Sequence, residues 1–380
     1  MIIINVSVVR MTLKTDIWDL VIIDTDEGIR GWGEITGSLC IEGVAAILDS
    51  MKDYLIGKNP VHRYECLRLF HQWQYPKISD LRTYSSALSG LDQALWDLYA
   101  KHLGIPLYQL YGAAGVQSIP LYANLNKALR GDRRESLLAE HGKKAVELGF
   151  EIVKCTPFDE ITPENSTLEF DNSIKKLDAL VSAVDISHVA IDCHQRFNRF
   201  SLSQMLTRVL DRYGIPYWVE DTIAINDYTV QEQISGSFPM FRFAAGEAAV
   251  SIYQIEKTVR LRGYDVIMPD VKYIGGPSAV LPLIGYVEGI GKQLSLHNPN
   301  GLVATAHSAH LSAMARQKIP MEFPFMAVPD RASLAFPSEI IRDGSYYFTE
   351  APGIGVEISK DALMEYGKTI TCGSWERIGV

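Results

Sequence analysis

Three acidic residues, Asp192, Glu220 and Glu247, each close a short apolar run and stand 28 and 27 residues apart. The runs are Val189-Ala190-Ile191, Tyr217-Trp218-Val219 and Phe243-Ala244-Ala245-Gly246. Each acid is followed by a polar loop and a segment of helical period. Carboxylates at the C-terminal ends of parallel strands converge on the mouth of a barrel, where several strands offer oxygen ligands to one hard cation such as Mg²⁺. Buried without a cation, such a cluster would be costly. A single acid after a strand is ordinarily a helix cap or a solvated loop residue, but here the series continues. Asp270 closes Val266-Ile267-Met268-Pro269, His297 closes Leu294-Ser295-Leu296 and Glu322 follows Ile319-Pro320-Met321, at further steps of 23, 27 and 25 residues. Six ionisable groups at strand ends, with one repeat length, describe one site distributed over consecutive βα units.

Those groups need a scaffold, and the chain patterning supplies it. From Ile119 onward strand and helix patterns alternate: Leu121-Tyr122-Ala123, a helical run from Arg134 to Leu148, Glu151-Ile152-Val153-Lys154, a helical run from Asn172 to Val184, and so on through eight strands to Glu322. Such alternation predicts an α/β fold with a parallel sheet, and eight units predict a closed (β/α)8 barrel of the TIM type. The first section is different. Ile2 to Val9 alternates, Leu20 to Asp24 is a second strand, and Thr25-Asp26-Glu27-Gly28 turns into Ile29-Arg30-Gly31-Trp32-Gly33. Helices follow, the clearest from Ser85 to His102, where Leu88, Leu91, Leu95 and Leu98 recur at three- and four-residue steps before Gly104-Ile105-Pro106 stops the run. Beyond about residue 337 the alternation ends, and Pro352-Gly353-Ile354-Gly355-Val356 reads as a turn-rich strand returning to the N-terminal part. The expected division is an α+β capping domain over 1–116, the barrel over 117–336, and a C-terminal segment over 337–380 that rejoins the cap.

The 380 residues carry a formal net charge of −9, with no basic run or basic–aromatic alternation, which argues against a nucleic-acid partner. The apolar start lacks a basic leader and soon meets Arg10, Lys14 and Asp16, so it reads as a strand and not a signal peptide. No apolar stretch approaches the length of a membrane span. Five scattered cysteines without a CxxC suggest a reduced, cytoplasmic protein with no disulfide framework, Cys155 and Cys193 being small buried thiols.

At this point the residues carry a resemblance. The sequence resembles the enolase superfamily, in its mandelate racemase subgroup, over nearly its whole length. The stretches that carry it are Ser89-Gly90-Leu91-Asp92-Gln93-Ala94-Leu95-Trp96-Asp97-Leu98 with Gly104-Ile105-Pro106-Leu107-Tyr108; Asp192-Cys193-His194-Gln195-Arg196; Val219-Glu220-Asp221; Ala245-Gly246-Glu247; Pro269-Asp270 with Gly275-Gly276; Leu296-His297-Asn298; and Glu322-Phe323. The resemblance implies a modified (β/α)7β barrel under a cap built from both termini. It also implies Mg²⁺ held by Asp192, Glu220 and Glu247, a small carboxylate as substrate, a homo-oligomer, and a first step that removes the proton α to the carboxylate.

Within that family likeness each residue takes an expected role. His297 is the base and Asp270 orients its ring. Glu322, protonated, donates to the enediolate oxygen, and Lys154 binds the substrate carboxylate. His194 is the discriminating residue, since an Asp-x-His at this place in sugar-acid dehydratases of the subgroup supplies the acid for the departing β-hydroxyl. Racemases of the subgroup often carry Lys-x-Lys where this chain has Lys154-Cys155-Thr156, so a second base is missing here. Cycloisomerase-like members place a lysine where Asp270 stands, although Lys272 lies close. The expected reaction is dehydration of a C5 or C6 aldonate to a 2-keto-3-deoxy acid. The alternatives are a racemase, epimerase or cycloisomerase of an α-substituted acid, and a catalytically silent sugar-acid binding protein. Specificity is expected from capping loops at Lys14 to Trp18 and His71 to Ser79.

Overall fold

The computed structural model describes residues 1–72, 81–162, 166–224 and 227–370. At the N-terminus β1 (Ile3–Thr12), β2 (Ile17–Thr25) and β3 (Arg30–Glu34) form an antiparallel sheet. Val6, Val8, Val21 and Ile23 from one face of it pack with Leu91, Leu95 and Leu98 of the helix Leu81–Leu103. That helix begins four residues before the leucine pattern predicts. Its Thr83, Ser85, Ser86, Ser89, Asp92 and Gln93 are buried too, so polar and apolar residues share its interior faces and blur the period.

The second sheet holds β4 (Ser118–Asn124), β5 (Val153–Cys155), β6 (Val189–Asp192), β7 (Trp218–Glu220), β8 (Phe243–Ala245), β9 (Val266–Ile267), β10 (Gln293–Leu294) and β11 (Met321–Pro324). All eight pair in parallel, in the order β11-β4-β5-β6-β7-β8-β9-β10. Alternation along the strands sends their side chains to two different clusters. Leu121, Ala123, Val153, Ile191, Val219, Phe243 and Ile267 join the large core that includes the surrounding helices. Tyr122, Ile152, Ala190, Trp218, Ala244, Val266 and Met268 form a separate cluster on the other face. Lys154, Asp192 and Glu220 stand two residues after Ile152, Ala190 and Trp218, so the same alternation sends them to that second face.

Among the described residues no ladder joins β10 to β11. Side chains bridge this seam instead: Ser295 Oγ donates to Pro320 O at 2.8 Å, and Asn298 donates to Glu322 through its backbone N–H (Oε2, 2.7 Å) and its Nδ2 (backbone O, 3.1 Å).

The stretch Ser89–Leu98 clamps the N-terminal sheet to the parallel one. Ser89 Oγ accepts from Gly275 N at 2.9 Å, and Asp92 accepts from Ser278 N and Oγ at 2.8 and 2.7 Å, which caps the helix Pro277–Gly289. Gly276 between them has φ +75°, and a Cβ there would stand 2.6 Å from Asp92 Oδ2. Gln93 exchanges hydrogen bonds with the backbone of Glu34, while Asp97 accepts from Trp32 N and Ile354 N.

The C-terminal segment departs from the expected strand. Pro352–Val356 forms no strand; a single bridge links Gly353 to Pro106, and His310 Nε2 donates to Ile354 O. Two left-handed glycines, Gly353 and Gly355, interrupt any extended run there. Before it, β12 (Ile340–Arg342) and β13 (Ser345–Tyr347) form a hairpin on β4, and after it β14 (Gly367–Thr369) pairs antiparallel with β1. No described helix is long and apolar enough to cross a membrane.

Candidate active site

Asp192 and Glu220 are partners in the β6–β7 register, which sets their side chains next to each other. Glu247 reaches the same place from two residues beyond β8, across Gly246. That glycine has φ +128°, and a Cβ on it would stand 2.7 Å from Ile255 Cδ1. Ligand-capable atoms of the three acids all lie within 4.8 Å of one another. Two of the oxygens, Asp192 Oδ2 and Glu247 Oε2, are buried and accept no well-directed hydrogen bond. Hard, converging oxygens with unused lone pairs fit a divalent cation.

Lys154 stands among these acids and is 1% exposed. Its Nζ lies 2.8 Å from Glu220 Oε1, 2.9 Å from Glu322 Oε1 and 3.4 Å from Asp192 Oδ2. Burial opposes the charge, yet Glu220 and Glu322 outweigh it and hold the ammonium well above its ordinary pKa. The contact with Glu220 is a hydrogen bond and the other two are ion pairs. Glu322 accepts in addition from Asn124 Nδ2 and from Asn298 N. Trp218 Nε1 steadies Glu220 through Oε2 at 3.1 Å.

Two imidazoles flank the acids. His297 places Nδ1 2.8 Å from Asp270 Oδ2 and Nε2 3.0 Å from Glu247 Oε2, with Glu322 Oε2 at 3.9 Å. Burial pulls its pKa down, but Glu247, Glu322 and the bond to Asp270 raise it well above the ordinary value. Asp270 is itself held at about 2: burial works against its charge, and Lys272 and His297 overcome that. His194 places Nε2 3.1 Å from Asp192 Oδ2 and Nδ1 2.7 Å from Asp159 Oδ1. Its backbone is left-handed at φ +43°, and its N–H donates to Asp192 Oδ1 at 3.1 Å. Against burial, Asp192 and Asp159 lift its pKa to about 11.

His297 also lines a cavity of about 540 Å³ between the first sheet and the parallel strands. Lys14, Thr15, Asp16 and Ile17 line it from the β1–β2 turn, and Lys127 and Asn300 from the other side. Trp18 is fully buried beneath that turn. The other expected specificity segment, His71 to Ser79, lies outside the described residues from position 73 onward.

Residues 3–112 match the family described as mandelate racemase/muconate lactonizing enzyme, N-terminal domain, and residues 137–362 match the enolase C-terminal domain-like family. The chain belongs to this enzyme family, within the enolase superfamily. A D-galactonate dehydratase from Pectobacterium atrosepticum is 27% identical to it over 359 residues, 92% of this chain and 91% of the relative. A D-xylonate dehydratase from Haloferax volcanii is 27% identical over 372 residues, 93% and 87% of the two chains. A mandelate racemase/muconate lactonizing enzyme-like protein from Rubrobacter xylanophilus superposes with a TM-score of 0.83 at 25% identity, covering 97% of each chain.

In this enolase-superfamily chain the lysine that could stand in for Asp270 is engaged elsewhere. Lys272 Nζ donates to Thr36 O and Tyr273 Oη, both at 2.7 Å, and lies 3.2 Å from Asp270 Oδ2. Three residues of the constellation had no sequence signal. Asp159 and Arg133 sit in loops with no periodic pattern, and Asn124 ends β4 as an amide among apolar residues. Asp221 is buried beside the acids, held by Gln195 Nε2 at 3.1 Å. Burial and then the charges of Glu247 and Asp192 push its pKa up to about 7.

Proposed function

We propose that this chain is a Mg²⁺-dependent dehydratase of a sugar acid, an aldonate of five or six carbons, working in a parallel barrel closed across the β10–β11 seam. The observation that carries the reading is the pair of imidazole Nε2 atoms resting on opposite members of one carboxylate set, at 3.0 Å from Glu247 and 3.1 Å from Asp192. Asp192, Glu220 and Glu247 are the cation ligands. A divalent ion bound there would supply positive charge to steady the substrate carboxylate as its α-proton leaves.

His297 Nε2 takes the proton from Cα, and the electron pair moves into the carboxylate to give an enediolate. Asp270 keeps the Nδ1 proton and stabilises the imidazolium that forms. Glu322 accepts from Asn124 Nδ2 and Asn298 N and is ion-paired with Lys154, so it would supply the expected hydrogen bond to the developing charge only after taking up a proton on Oε2. Lys154 holds Glu220, Asp192 and Glu322 in place as their shared counter-charge. His194 then passes its Nε2 proton to the β-hydroxyl, which leaves as water, and the enol tautomerises to the 2-keto-3-deoxy acid. The hydroxyl and charged groups of the cavity wall suit a hydroxyl-rich acid.

The relatives named as D-galactonate and D-xylonate dehydratases support this substrate class. A second reading, epimerisation at Cα, draws on the same two imidazoles, which could serve as bases on either side of one carbon. The test is a panel of aldonates and aldarates incubated with Mg²⁺ and, in parallel, with EDTA. Keto-acid formation that depends on the metal supports dehydration; Cα deuterium incorporation with inversion and no loss of water would replace it with epimerisation.

A further inference from the structure

His194 has a partner that the expected chemistry does not include. Asp159 lies four residues beyond the end of β5, and its Oδ1 stands 2.7 Å from His194 Nδ1. Its other oxygen, Oδ2, is ion-paired with Arg133 Nη1, from the loop before the helix Glu135–Glu147. The side chains of Asp159 and Arg133 are 16% and 20% exposed, so the pair is largely shielded from water.

The arrangement repeats the one on the other side of the acids. There the order is Lys272, Asp270, His297, Glu247, with steps of 3.2, 2.8 and 3.0 Å. Here it is Arg133, Asp159, His194, Asp192, with the two steps at the imidazole measuring 2.7 and 3.1 Å. In both, a cation holds a carboxylate, the carboxylate holds Nδ1, and Nε2 faces a candidate metal ligand. An ionised carboxylate only accepts hydrogen bonds, so the nitrogen it faces must carry hydrogen. The terminal torsion of an imidazole is broad and roughly two-fold, and without such a partner either ring nitrogen could face the site.

We propose that Asp159, fixed by Arg133, is a positioning residue for His194: it retains the Nδ1 proton and orients the ring so that Nε2 alone faces the substrate. Its chemical consequence rests on the dehydratase reading, whereas the ring geometry does not. Asp159→Asn is the sharp substitution, because an amide has one acceptor oxygen for two donors, Arg133 and Nδ1. One of them must then meet an NH₂ group.

The experiment uses the full chain with Mg²⁺ and ¹⁵N-labelled histidine, as wild type, Asp159→Asn and Asp159→Ala. Long-range ¹H–¹⁵N spectra should place hydrogen on His194 Nδ1 in the wild type and show a changed ring state in both variants. With an aldonate that the wild type dehydrates, Asp159→Asn should form keto acid about 10- to 100-fold more slowly, the usual cost of losing a partner that orients a functional imidazole. Mg²⁺ affinity and Cα deuterium exchange should stay near wild type. In a His194→Asn background the Asp159→Asn change should cost nothing more, since the two residues act as one unit. An unchanged His194 Nδ1 signal in both variants, or losses that multiply in the double variant, would overturn the proposal. If the wild type dehydrates no aldonate, the dehydratase reading fails, and the spectra still decide whether Asp159 holds the ring.

Discussion

His297 Nδ1 stands 2.8 Å from Asp270 Oδ2, and this one bond decides which nitrogen of the ring can accept a proton from carbon. Because Asp270 is fully buried and acts as acceptor, Nδ1 stays protonated and Nε2 is the basic atom. His297→Asn should abolish both turnover and deuterium entry at Cα. Asp270→Asn should keep the ring in place but slow proton removal by about 10- to 100-fold. Both are read from Cα-proton NMR in D₂O. Exchange at the wild-type rate in His297→Asn would require another base, and Lys272 would have to leave its bonds to Thr36 and Tyr273 to serve.

The metal cradle predicts a graded loss. Asp192→Asn, Glu220→Gln and Glu247→Gln should each weaken Mg²⁺ binding, measured by calorimetry, and remove activity, because an amide lacks the charge that a hard cation requires. Asp221→Asn should weaken binding less, since Asp221 is not among the converging ligand atoms. Full activity of Glu220→Gln in excess EDTA would contradict the assignment.

Much of this site was legible because strands have a period of two. Asp192 and Glu220 end strands whose preceding inward residues, Ala190 and Trp218, are small or aromatic, and position alone sets the acids on the same face. The parallel sheet of β4 to β11 was legible because strand and helix patterns alternate from Ile119 onward. Lys154 was placed on the right strand, but its three carboxylate contacts depend on distances between β5, β6 and β11 that no local pattern encodes. Asp159 was invisible because it sits in a loop and gains its meaning only from His194, 35 residues later. The C-terminal segment does return to the N-terminal part at Gly353 and Ile354, through Pro106 and Asp97, but glycines at 353 and 355 disrupt the strand expected there, and the segment that pairs with β1, Gly367–Thr369, is three residues long and without an apolar pattern.

Lys154 is the counter-charge for three buried acids, so its loss should register in stability before it registers in chemistry. Lys154→Met leaves those carboxylates uncompensated and should destabilise the metal-free protein by about 3 to 5 kcal/mol. Added Mg²⁺ should then raise the Tm of the variant more than that of the wild type. Equal Tm values for the two proteins in EDTA would show that the lysine does not perform this role.

Two buried histidines predict an acid sensitivity of a defined sign. Burial lowers His307 to about 3 and His310 to about 4, and His310 Nδ1 accepts from Tyr108 N at 2.9 Å, which requires a neutral ring. Below the unfolded value of about 6.5 the unfolded chain binds protons that the folded chain refuses, so this stability is lost as pH falls from about 6.5 toward 4. Asp92 and Asp221, raised to about 6 and 7, pull the slope the opposite way. The clean measurement is therefore the Tm difference between wild type and His310→Gln, whose amide keeps a donor and an acceptor without ionising. That difference should shift in favour of the variant as pH falls from 6.5 to 5, and a constant difference would contradict the assignment.

The most direct measurement separates the acid from the base. His194→Asn leaves His297, Glu322 and the three cation ligands in place, so it should still remove and exchange the α-proton. Departure of the β-hydroxyl should fall by about 10²- to 10⁴-fold, the usual cost of losing a positioned general acid. Wild type and His194→Asn are incubated with Mg²⁺ and each candidate sugar acid in D₂O, and the α-proton and the keto acid are followed together by NMR. The account predicts keto acid from the wild type, and from the variant deuterium at Cα with little keto acid. Dehydration by His194→Asn at the wild-type rate would contradict it.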